Sequence, residues 1–331
     1  MTEKSRNSFP KAPVMILFFN RPDNLQQVFN AVREYKPERL FLVQDGARSS
    51  RPDDKLNIQK CRGVVSNVDW PCEVKTNYSE ENMTCDHREY TGISWCFQFV
   101  DRLIILEDDC VPTQSFFHLC EENLELYKDN TQIHSIYGFN RVGKYTTPYD
   151  YVFSSTGAGW GWATWKRVWS QVETICNLSF FDDEKLIEYI KKVTDKNIFL
   201  NYGDFIEQGR RVRKTNKLTN RNSSWEYVTG IVLILNNMLT ICPAVNMVKY
   251  IGISENATHT PASPSLLPYK KKKVLLQPAF DIDFKNIKHP PFVIKDCRFE
   301  SFSRKSMSTP RLVSKIEVMF RKILFALHIL K

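Results

Sequence analysis

Three neighbouring acidic residues, Glu107-Asp108-Asp109, are the part of this 331-residue sequence whose types and spacing most directly suggest chemistry. They follow an apolar run at residues 103–106, which is typical of a buried strand that delivers its last side chains to the rim of a sheet. Carboxylate oxygens are hard ligands that suit Mn²⁺ or Mg²⁺, and these ions also bind phosphate oxygens. An acid-rich helix N-terminus is the alternative, and the triplet alone leaves both interpretations open.

An alternation of strands and helices must position these carboxylates. Buried strands are predicted at residues 13–19, 40–43, 72–77 and 103–106. Helices are predicted from Pro22 onward and at residues 53–65, 86–100 and 114–128, with a further strand at 133–139. This order is typical of a doubly wound α/β sheet, in which ligands bind at the carboxyl ends of the strands. Asn20-Arg21 and Asp45 end the first two strands, so we expect them to share one site with the acidic triplet.

Composition and motifs exclude several classes of function. There is no G-x-G-x-x-G sequence after the first strand and no P-loop, which argues against nicotinamide-dependent dehydrogenases and P-loop kinases. Nine cysteines without a C-x-x-C pair argue against a zinc knuckle. Residues 264–331 hold 15 Lys and Arg against five Asp and Glu, so the net charge of +9 belongs to this tail. A basic nucleic-acid groove across the main domain is therefore disfavoured.

Six segments, taken in order, resemble the GT-A nucleotide-sugar glycosyltransferases of the bacterial polysaccharide type and, more distantly, N-acetylglucosaminyltransferase I. The segments are PVMILFFNRPDNL, FLVQDGAR, LIILEDDCVP, GAGWGWATWKRVW, SWEYVTG and IGISENATHT. The resemblance implies a GT-A (Rossmann-like) α/β fold with a mixed, mainly parallel sheet flanked by helices. We expect a catalytic domain at residues 1–262, with its nucleotide-binding half at 12–110 and its acceptor half at 111–262, and a basic extension at 263–331.

The resemblance also implies roles at the acidic triplet. Asp109 would ligate Mn²⁺ or Mg²⁺, while Glu107 and Asp108 would contact the ribose and the sugar of the donor. His259, in the segment Ala257-Thr-His-Thr260, would face the metal or the phosphates. A histidine that serves only as a hydrogen-bonding residue is the alternative for His259.

Four further residues are implied to bind the sugar nucleotide. Asp45 would contact the nucleotide base, and Asn20 and Arg21 would flank the same pocket. Arg88, in the helix before the fourth strand, would reach the diphosphate. A solvated cation on a helix face is the alternative for Arg88.

Glu226, in the pair Trp225-Glu226, matches the general base of the family's Trp-acid motif. A carboxylate near the acceptor hydroxyl accepts its proton as the glycosidic bond forms, and the resemblance implies inversion at the anomeric carbon. The family more often carries Asp here, and a surface glutamate on a helix is the alternative.

The aromatic segment at residues 157–169 divides into two predicted parts. Glycines around Trp160 and Trp162 predict a loop with close backbone approaches, and we expect both indoles beside the donor or the acceptor. Trp165 and Trp169 are four residues apart and are predicted to lie on a helix in the core. Core packing is the alternative for the whole segment.

Residues 311–331 project as an amphipathic helix with a basic polar face, which is typical of an interfacial membrane helix. Lys270-Lys-Lys-Lys273 would add attraction to anionic lipid. The alternative is that the helix packs on protein. No apolar leader or 18-residue apolar run is found, so we expect a cytoplasmic protein, peripheral on the inner face of the cell membrane.

These patterns predict a metal-dependent glycosyltransferase, a hexosyl- or N-acetylhexosaminyltransferase that uses a nucleoside-diphosphate sugar, most simply a UDP-sugar. The acceptor would be a glycan or a lipid-linked glycan in surface polysaccharide or lipopolysaccharide synthesis. A sugar nucleotidyltransferase is one alternative, although such an enzyme is expected to carry a glycine-rich phosphate loop after the first strand, and residues 18–22 contain no glycine. A non-enzymatic membrane-binding protein is the other.

Overall fold

The computed structural model describes residues 10–157, 159–177, 184–193, 226–253, 263–307 and 311–327. Its strands are β1 (Val14–Phe18), β2 (Arg39–Gln44), β3 (Glu73–Tyr78), β4 (Arg102–Glu107), β5 (Cys110–Pro112), β6 (Ile133–Tyr137), β7 (Tyr151–Ser154), β8 (Trp162–Trp165), β9 (Leu239–Pro243) and β10 (Val248–Tyr250). Eight of them form one sheet in the order β3-β2-β1-β4-β8-β6-β9-β7, and β5 and β10 pair separately.

The helices of the described residues alternate with the strands up to β4 and are grouped in the later part of the chain. They are α1 (Pro22–Tyr35), α2 (Asp53–Val65), α3 (Cys85–Cys96), α4 (Gln114–Leu126), α5 (Lys166–Asn177), α6 (Glu184–Val193), α7 (Glu226–Leu235), α8 (Tyr269–Leu275), α9 (Cys297–Met307) and α10 (Arg311–Ala326).

Strands β1 to β4 form the parallel part of the sheet. Strand β1 pairs in parallel with β2 and with β4, and β2 pairs in parallel with β3. Strand β8 then runs antiparallel to β4, which makes the sheet mixed. The register sets Leu17 opposite Glu107 and Phe18 opposite Gln44, so the carboxyl ends of three strands are level.

Helices cover both faces of the sheet, as a doubly wound fold requires. Ile16 of β1 points into a core that it shares with Phe29 of α1 and other residues of α2 and α4. Its neighbour Met15 points into a second core with Trp169 of α5 and Val232 of α7. A strand buried on both faces has no polar alternation, which is why β1 and β4 appear in the sequence as continuous apolar runs. The predicted mixed, mainly parallel α/β sheet flanked by helices is confirmed.

Residues 263–307, predicted as part of a basic extension, pack along the sheet. Asp281 accepts hydrogen bonds at Oδ1 from the amide N (3.0 Å) and Oγ (2.7 Å) of Ser115, at the start of α4. Lys295 forms a parallel bridge to Phe153 of β7, which is the last strand of the sheet. An edge strand presents unpaired backbone groups that need a cover, and this segment covers them.

Helix α10 docks through its polar side. The Oε1 of Glu317 accepts a hydrogen bond from the amide of Tyr269 at 2.7 Å, and Arg321 donates from Nη1 to the carbonyl of Ser265 at 3.2 Å. Its exposed apolar side chains are Val313, Ile316, Met319, Phe320, Ile323 and Phe325, and the exposed Leu327 follows the helix. Among the described helices, none has the length and apolar character needed to cross a bilayer. The helix is therefore attached to protein by one face while the other faces outward.

Replacing Glu300 by alanine is expected to lower the free energy of unfolding by about 2 kcal/mol, as measured by urea denaturation. One carboxylate oxygen of Glu300 accepts from the amide N (2.5 Å) and Oγ (2.7 Å) of Ser155, and these donors would lose a charged partner. Glu188→Ala is the matched control, because Glu188 pairs with Lys192 on the exposed face of α6. The control should change stability by less than about 0.5 kcal/mol, and equal losses in the two variants would contradict the role given to Glu300.

Candidate active site

Two buried carboxylates at the carboxyl end of β4 are bridged by one guanidinium. Asp108 and Asp109 are 2% and 7% exposed. Arg21, which precedes α1, donates from Nη2 to Oδ1 of Asp108 and from Nη1 to Oδ2 of Asp109, the latter at 3.0 Å. The amide of Phe19 donates to Oδ2 of Asp108 at 3.1 Å. The end of β1 and the end of β4 therefore meet in one ion-paired cluster.

Burial and charge act against each other in this cluster. Burial raises the pKa of Asp108, and the neighbouring Arg21 acts to lower it. For Arg21, burial acts to lower the pKa, but the two carboxylates outweigh it and raise the pKa above its usual value. The guanidinium is thus held in its charged form by the acidic pair.

The segment after β10 lies against Asp109. The amide of Ile251 donates to the main-chain carbonyl of Asp109 at 2.9 Å. A Cβ at Gly252 would clash with Oδ2 of Asp109, so this position needs a residue without a side chain. This contact was not expected from the sequence, although a glycine between two isoleucines is a signal for close backbone approach. His259 follows in the same segment but lies outside the described residues.

Asp45, at the carboxyl end of β2, holds the loop before α3. Its Oδ1 accepts from the amides of Gly46 (2.9 Å) and Met83 (2.8 Å), and its Oδ2 accepts from Nδ2 of Asn82 (2.9 Å). Burial raises the pKa of Asp45, although these hydrogen bonds and the charge of Arg88 oppose the shift. The predicted contact of Asp45 with a nucleotide base stays a prediction.

Asn20 belongs to a second network, centred on the buried Asp54 at the start of α2. Nδ2 of Asn20 donates to Oδ1 of Asp54 at 2.6 Å. Arg48 donates from Nε (2.7 Å) and Nη2 (2.8 Å) to the two oxygens of the same carboxylate. Sequence reasoning missed Asp54 and Arg48, although an acidic residue in the first turn of a helix is a recognised signal for a fixed helix start. The network fixes the loops that follow β1 and β2.

Arg88 ties β2 to β3 below the rim of the sheet. Its side chain is buried, donating from Nε to the carbonyl of Gln44 at 3.0 Å and from Nη2 to Oδ1 of Asn77 at 2.9 Å. Gln44, also buried and not singled out from the sequence, donates to the carbonyl of Phe19 at 3.0 Å. The exposed helix-face alternative for Arg88 is wrong, and contact with a diphosphate would require the guanidinium to leave these partners.

The two tryptophans expected beside the sugar have different surroundings. Trp160 is half-buried, with its ring centroid 4.8 Å from that of Phe139 and 5.5 Å from that of Tyr250. Tyr250 is paired with Cys110, which follows Asp109. The ring of Tyr250 therefore lies between Trp160 and the acidic pair. Trp160 therefore lies in the aromatic cluster that adjoins the acidic pair.

Trp162 lies in a buried strand, so its predicted place in a loop beside the donor or the acceptor is wrong. The predicted loop ends at Gly161, and Trp162 is the first residue of β8, between β4 and β6. Its side chain is 2% exposed and lies in the second core, because a central strand is buried on both faces. Trp165 is likewise in β8 rather than on a helix, although its core position, like that of Trp169, agrees with the prediction.

Glu107 and Glu226 complete the predicted set. Glu107 is the half-buried last residue of β4, one position before the acidic pair. Glu226 is the first residue of α7, and its side chain lies outside the described part of the structure. A three-residue turn joins α7 to β9. Strand β9 is parallel to β6, and both β6 and β4 are antiparallel to β8, so β9 runs in the same direction as β4. Helix α7 therefore runs back about 15 Å along the sheet, which places its first turn towards the rim that carries Asp109.

The chemistry of the acidic pair fits a divalent ion. Among the residues that the structure describes, no group of three or more His, Cys, Asp and Glu side chains could hold a metal. Mg²⁺-type sites commonly need only one or two carboxylates, because water and substrate phosphates supply the other ligands. The pair already accommodates one positive charge, that of Arg21, so carboxylate donors for a cation are present at the rim.

No protein-family model matches this chain, and no curated protein matches it. Among solved structures, it is similar to the mannosyltransferase PcManGT from Pyrobaculum calidifontis in complex with GDP-Man and Mn²⁺, with 7% identity, 70% of this chain and 75% of that chain covered, and a TM-score of 0.37. A 4-diphosphocytidyl-2C-methyl-D-erythritol synthase from Anaerococcus prevotii gives 12% identity, 62% and 97% coverage, and a TM-score of 0.33. A UDP-glucose pyrophosphorylase complexed with UDP-glucose gives 8% identity, with 72% of this chain and 92% of that chain covered, and a TM-score of 0.33. Likenesses at this level assign no family, so function has to be inferred from the site.

Asp54 should make stability depend on pH. Burial acts to raise its pKa, but the hydrogen bonds from Arg48 and Asn20 outweigh burial and lower it. A lowered folded-state pKa gives stability that is present above the unfolded value, about 3.9, and is lost as pH falls through the folded value. The stability advantage of the wild type over Asp54→Asn should therefore shrink as pH falls from about 5 to about 3.

Urea denaturation at several pH values measures this difference. The control is Asp69→Asn, because Asp69 is 66% exposed and pairs with Arg33 at the surface, where an ion pair contributes less than about 1 kcal/mol. A wild-type advantage over Asp54→Asn that stays constant across the pH range would refute the charged role of Asp54.

Proposed function

We propose that this protein is a metal-dependent glycosyltransferase that moves a sugar from a nucleoside-diphosphate sugar, preferentially a UDP-sugar, to a hydroxyl of a glycan or lipid-linked acceptor. The supporting observation is the buried pair Asp108–Asp109 at the carboxyl end of β4, level with the ends of β1 and β2. This is the rim at which open α/β sheets bind nucleotides.

Asp109 is the protein residue proposed to hold Mn²⁺ or Mg²⁺, together with the phosphates of the donor, and His259 is a second candidate. When bound, the ion supplies positive charge that stabilises the diphosphate leaving group. Asp108 is fixed by Arg21 and by the amide of Phe19, so it is suited to orient donor hydroxyls. Glu107 is proposed to share that task.

Trp160 is proposed to form one wall of the sugar site. Its ring is half-buried and packs on Tyr250, whose strand pairs with the residue after Asp109. An indole face stacks against the C–H face of a sugar while leaving the sugar hydroxyls to polar partners. Asp45, Asn20 and Arg88 are proposed to shape the nucleotide end of the cleft, chiefly through the loops that they hold.

Glu226 is proposed as the general base. The carboxylate accepts the proton of the acceptor hydroxyl while the hydroxyl oxygen attacks the anomeric carbon in line, which inverts the configuration. The bond from the anomeric carbon to the diphosphate breaks in the same step, and the nucleoside diphosphate leaves.

The outward face of α10 is proposed to bind an anionic bilayer on the cytoplasmic side. Six apolar side chains of this helix are exposed, while Glu317 and Arg321 attach the helix to the protein. Lys270–Lys273 lie on α8, next to the docking point at Tyr269. A lipid-linked acceptor in surface polysaccharide or lipopolysaccharide synthesis would then be presented at the same surface.

Glu226→Gln and Asp109→Asn should separate proton transfer from cation binding. Glu226→Gln is expected to keep the affinity for the sugar donor and to lower turnover about 10²- to 10⁴-fold. Asp109→Asn is expected to lose Mn²⁺-dependent donor binding. Donor binding is measured by calorimetry, and turnover by release of nucleoside diphosphate from a panel of sugar nucleotides.

Two outcomes would reject this assignment. Equal loss of donor binding in both variants would remove the distinction between the two roles. Release of pyrophosphate instead of nucleoside diphosphate would identify a nucleotidyltransferase. That alternative is disfavoured because the turn after β1, Phe19-Asn20-Arg21, contains no glycine and leads into Pro22, which has no amide hydrogen to offer a phosphate.

Replacing Phe320 and Ile323 by serine should weaken binding to vesicles that contain phosphatidylglycerol by at least about tenfold, since each side chain contributes about 1.5–3 kcal/mol when it is buried in lipid. Phe320 and Ile323 are 57% and 48% exposed. The control pair is Leu56→Ser with Phe292→Ser, two exposed apolar residues elsewhere on the chain. Co-sedimentation measures binding, and equal losses in the two pairs, or no binding by the wild type, would contradict the membrane role.

A further inference from the structure

We propose that Arg21 is a built-in counter-ion that competes with the divalent cation for Asp109. The guanidinium neutralises the acidic pair when no cation is bound, and it must release Oδ2 of Asp109 before a cation binds that oxygen. This inference rests on the proposed function, because it concerns the same carboxylates. It adds a determinant of cation affinity that the acidic motif alone does not contain.

The first observation is that every oxygen of the acidic pair has a donor within the protein. Asp108 accepts from Arg21 at Oδ1 and from the amide of Phe19 at Oδ2. Asp109 accepts from Arg21 at Oδ2 (3.0 Å) and from Sγ of Cys110 at Oδ1 (3.3 Å). A thiol is a weak donor, so Arg21 supplies the principal partner of Asp109.

The second observation is the lack of space beside Oδ2 of Asp109. The main chain at Gly252 approaches this oxygen so closely that a Cβ there would clash with it. The guanidinium occupies another side of the same oxygen at 3.0 Å. A cation that uses Oδ2 must therefore displace Nη1 of Arg21, whereas the bond from Nη2 to Asp108 can stay.

The third observation is burial. The side chains of Asp109 and Arg21 are 9% and 22% exposed, so their attraction is poorly screened by water. Removing one partner from a buried ion pair costs much more than removing one at the surface, because it leaves an uncompensated charge. Two adjacent buried carboxylates also repel each other. The two carboxylates therefore need a positive charge from either Arg21 or a bound cation, and one replaces the other at Asp109.

The test is a titration of the full chain with Mn²⁺ alone, without nucleotide, in which the electron paramagnetic resonance signal of free Mn²⁺ gives the dissociation constant. Arg21→Gln is expected to bind Mn²⁺ at least about tenfold more tightly than the wild type, since a tenfold change corresponds to about 1.4 kcal/mol. Asp109→Asn is expected to lose this binding. Arg102→Gln is the matched control, because Arg102 pairs with the partly buried Glu125 at the start of β4, the opposite end of the strand from Asp109, and it should leave Mn²⁺ affinity unchanged.

A second measurement uses the thermal stability of the protein with and without Mn²⁺. Without Mn²⁺, Arg21→Gln should melt at a lower temperature than the wild type, and Mn²⁺ should raise the melting temperature of this variant more than that of the wild type. If Arg21→Gln does not fold, Arg21→Lys replaces it. A compact ammonium cannot bridge two carboxylates as a guanidinium does, so Mn²⁺ affinity should still exceed that of the wild type.

The outcomes separate this inference from the proposed function. Equal or weaker Mn²⁺ binding by the Arg21 variants, with loss of binding in Asp109→Asn, would overturn the counter-ion role and leave the metal site standing. No Mn²⁺ binding by any variant, with sugar transfer that persists in EDTA, would overturn both the metal site and the role of Arg21. Sugar transfer abolished by EDTA, together with tighter binding by Arg21→Gln, would support both.

Discussion

Two carboxylates buried side by side at the rim of a sheet are stable only with positive charge against them, and the arrangement of this protein follows from that requirement. Asp108 and Asp109 leave β4 at a point where β1 delivers Arg21 in register. The cost of removing these charges from water is offset by a forked ion pair and by a main-chain amide. A site that holds the Arg21 guanidinium in this way has the charge and the ligand chemistry to bind a metal cation in its place at Asp109.

Buried polar side chains below the rim keep the loops of the site in place. Gln44 ties β2 to the end of β1, Arg88 ties β2 to β3, and Asp54 holds the loops that carry Asn20 and Arg48. These groups touch the backbone or each other rather than open space. A buried network of this kind is costly unless every member is paired, and its pairing fixes the strand ends on which a ligand would depend.

The sequence predicted the strands and helices of the first half within a few residues, because strands buried on both faces appear as continuous apolar runs. It placed Arg21 and Asp109 at one rim for the same reason. It did not predict that they form an ion pair, since that depends on the register between β1 and β4. Trp162 and Trp165 were misplaced because glycine and tryptophan around a central strand resemble a loop followed by a helix.

Long-range packing explains the other differences. Residues 263–307 appeared as a basic tail, but Asp281 and Glu300 bond to α4 and to the end of β7, which no local pattern reveals. Gln44, Asp54 and Gly252 acquire their roles only when distant segments meet. The partners of Arg88 likewise come from two strands, so a helix-face pattern could not identify them.

The most direct test of the central claim is a crystal structure of the protein with Mn²⁺ and UDP, with diffraction measured above and below the manganese absorption edge. The account predicts an anomalous peak on the carboxylate of Asp109, with diphosphate oxygens on the same ion and Nη1 of Arg21 no longer bonded to Asp109. Manganese and nucleotide bound away from the carboxyl ends of β1, β2 and β4, with the bridge from Arg21 to both carboxylates intact, would contradict it.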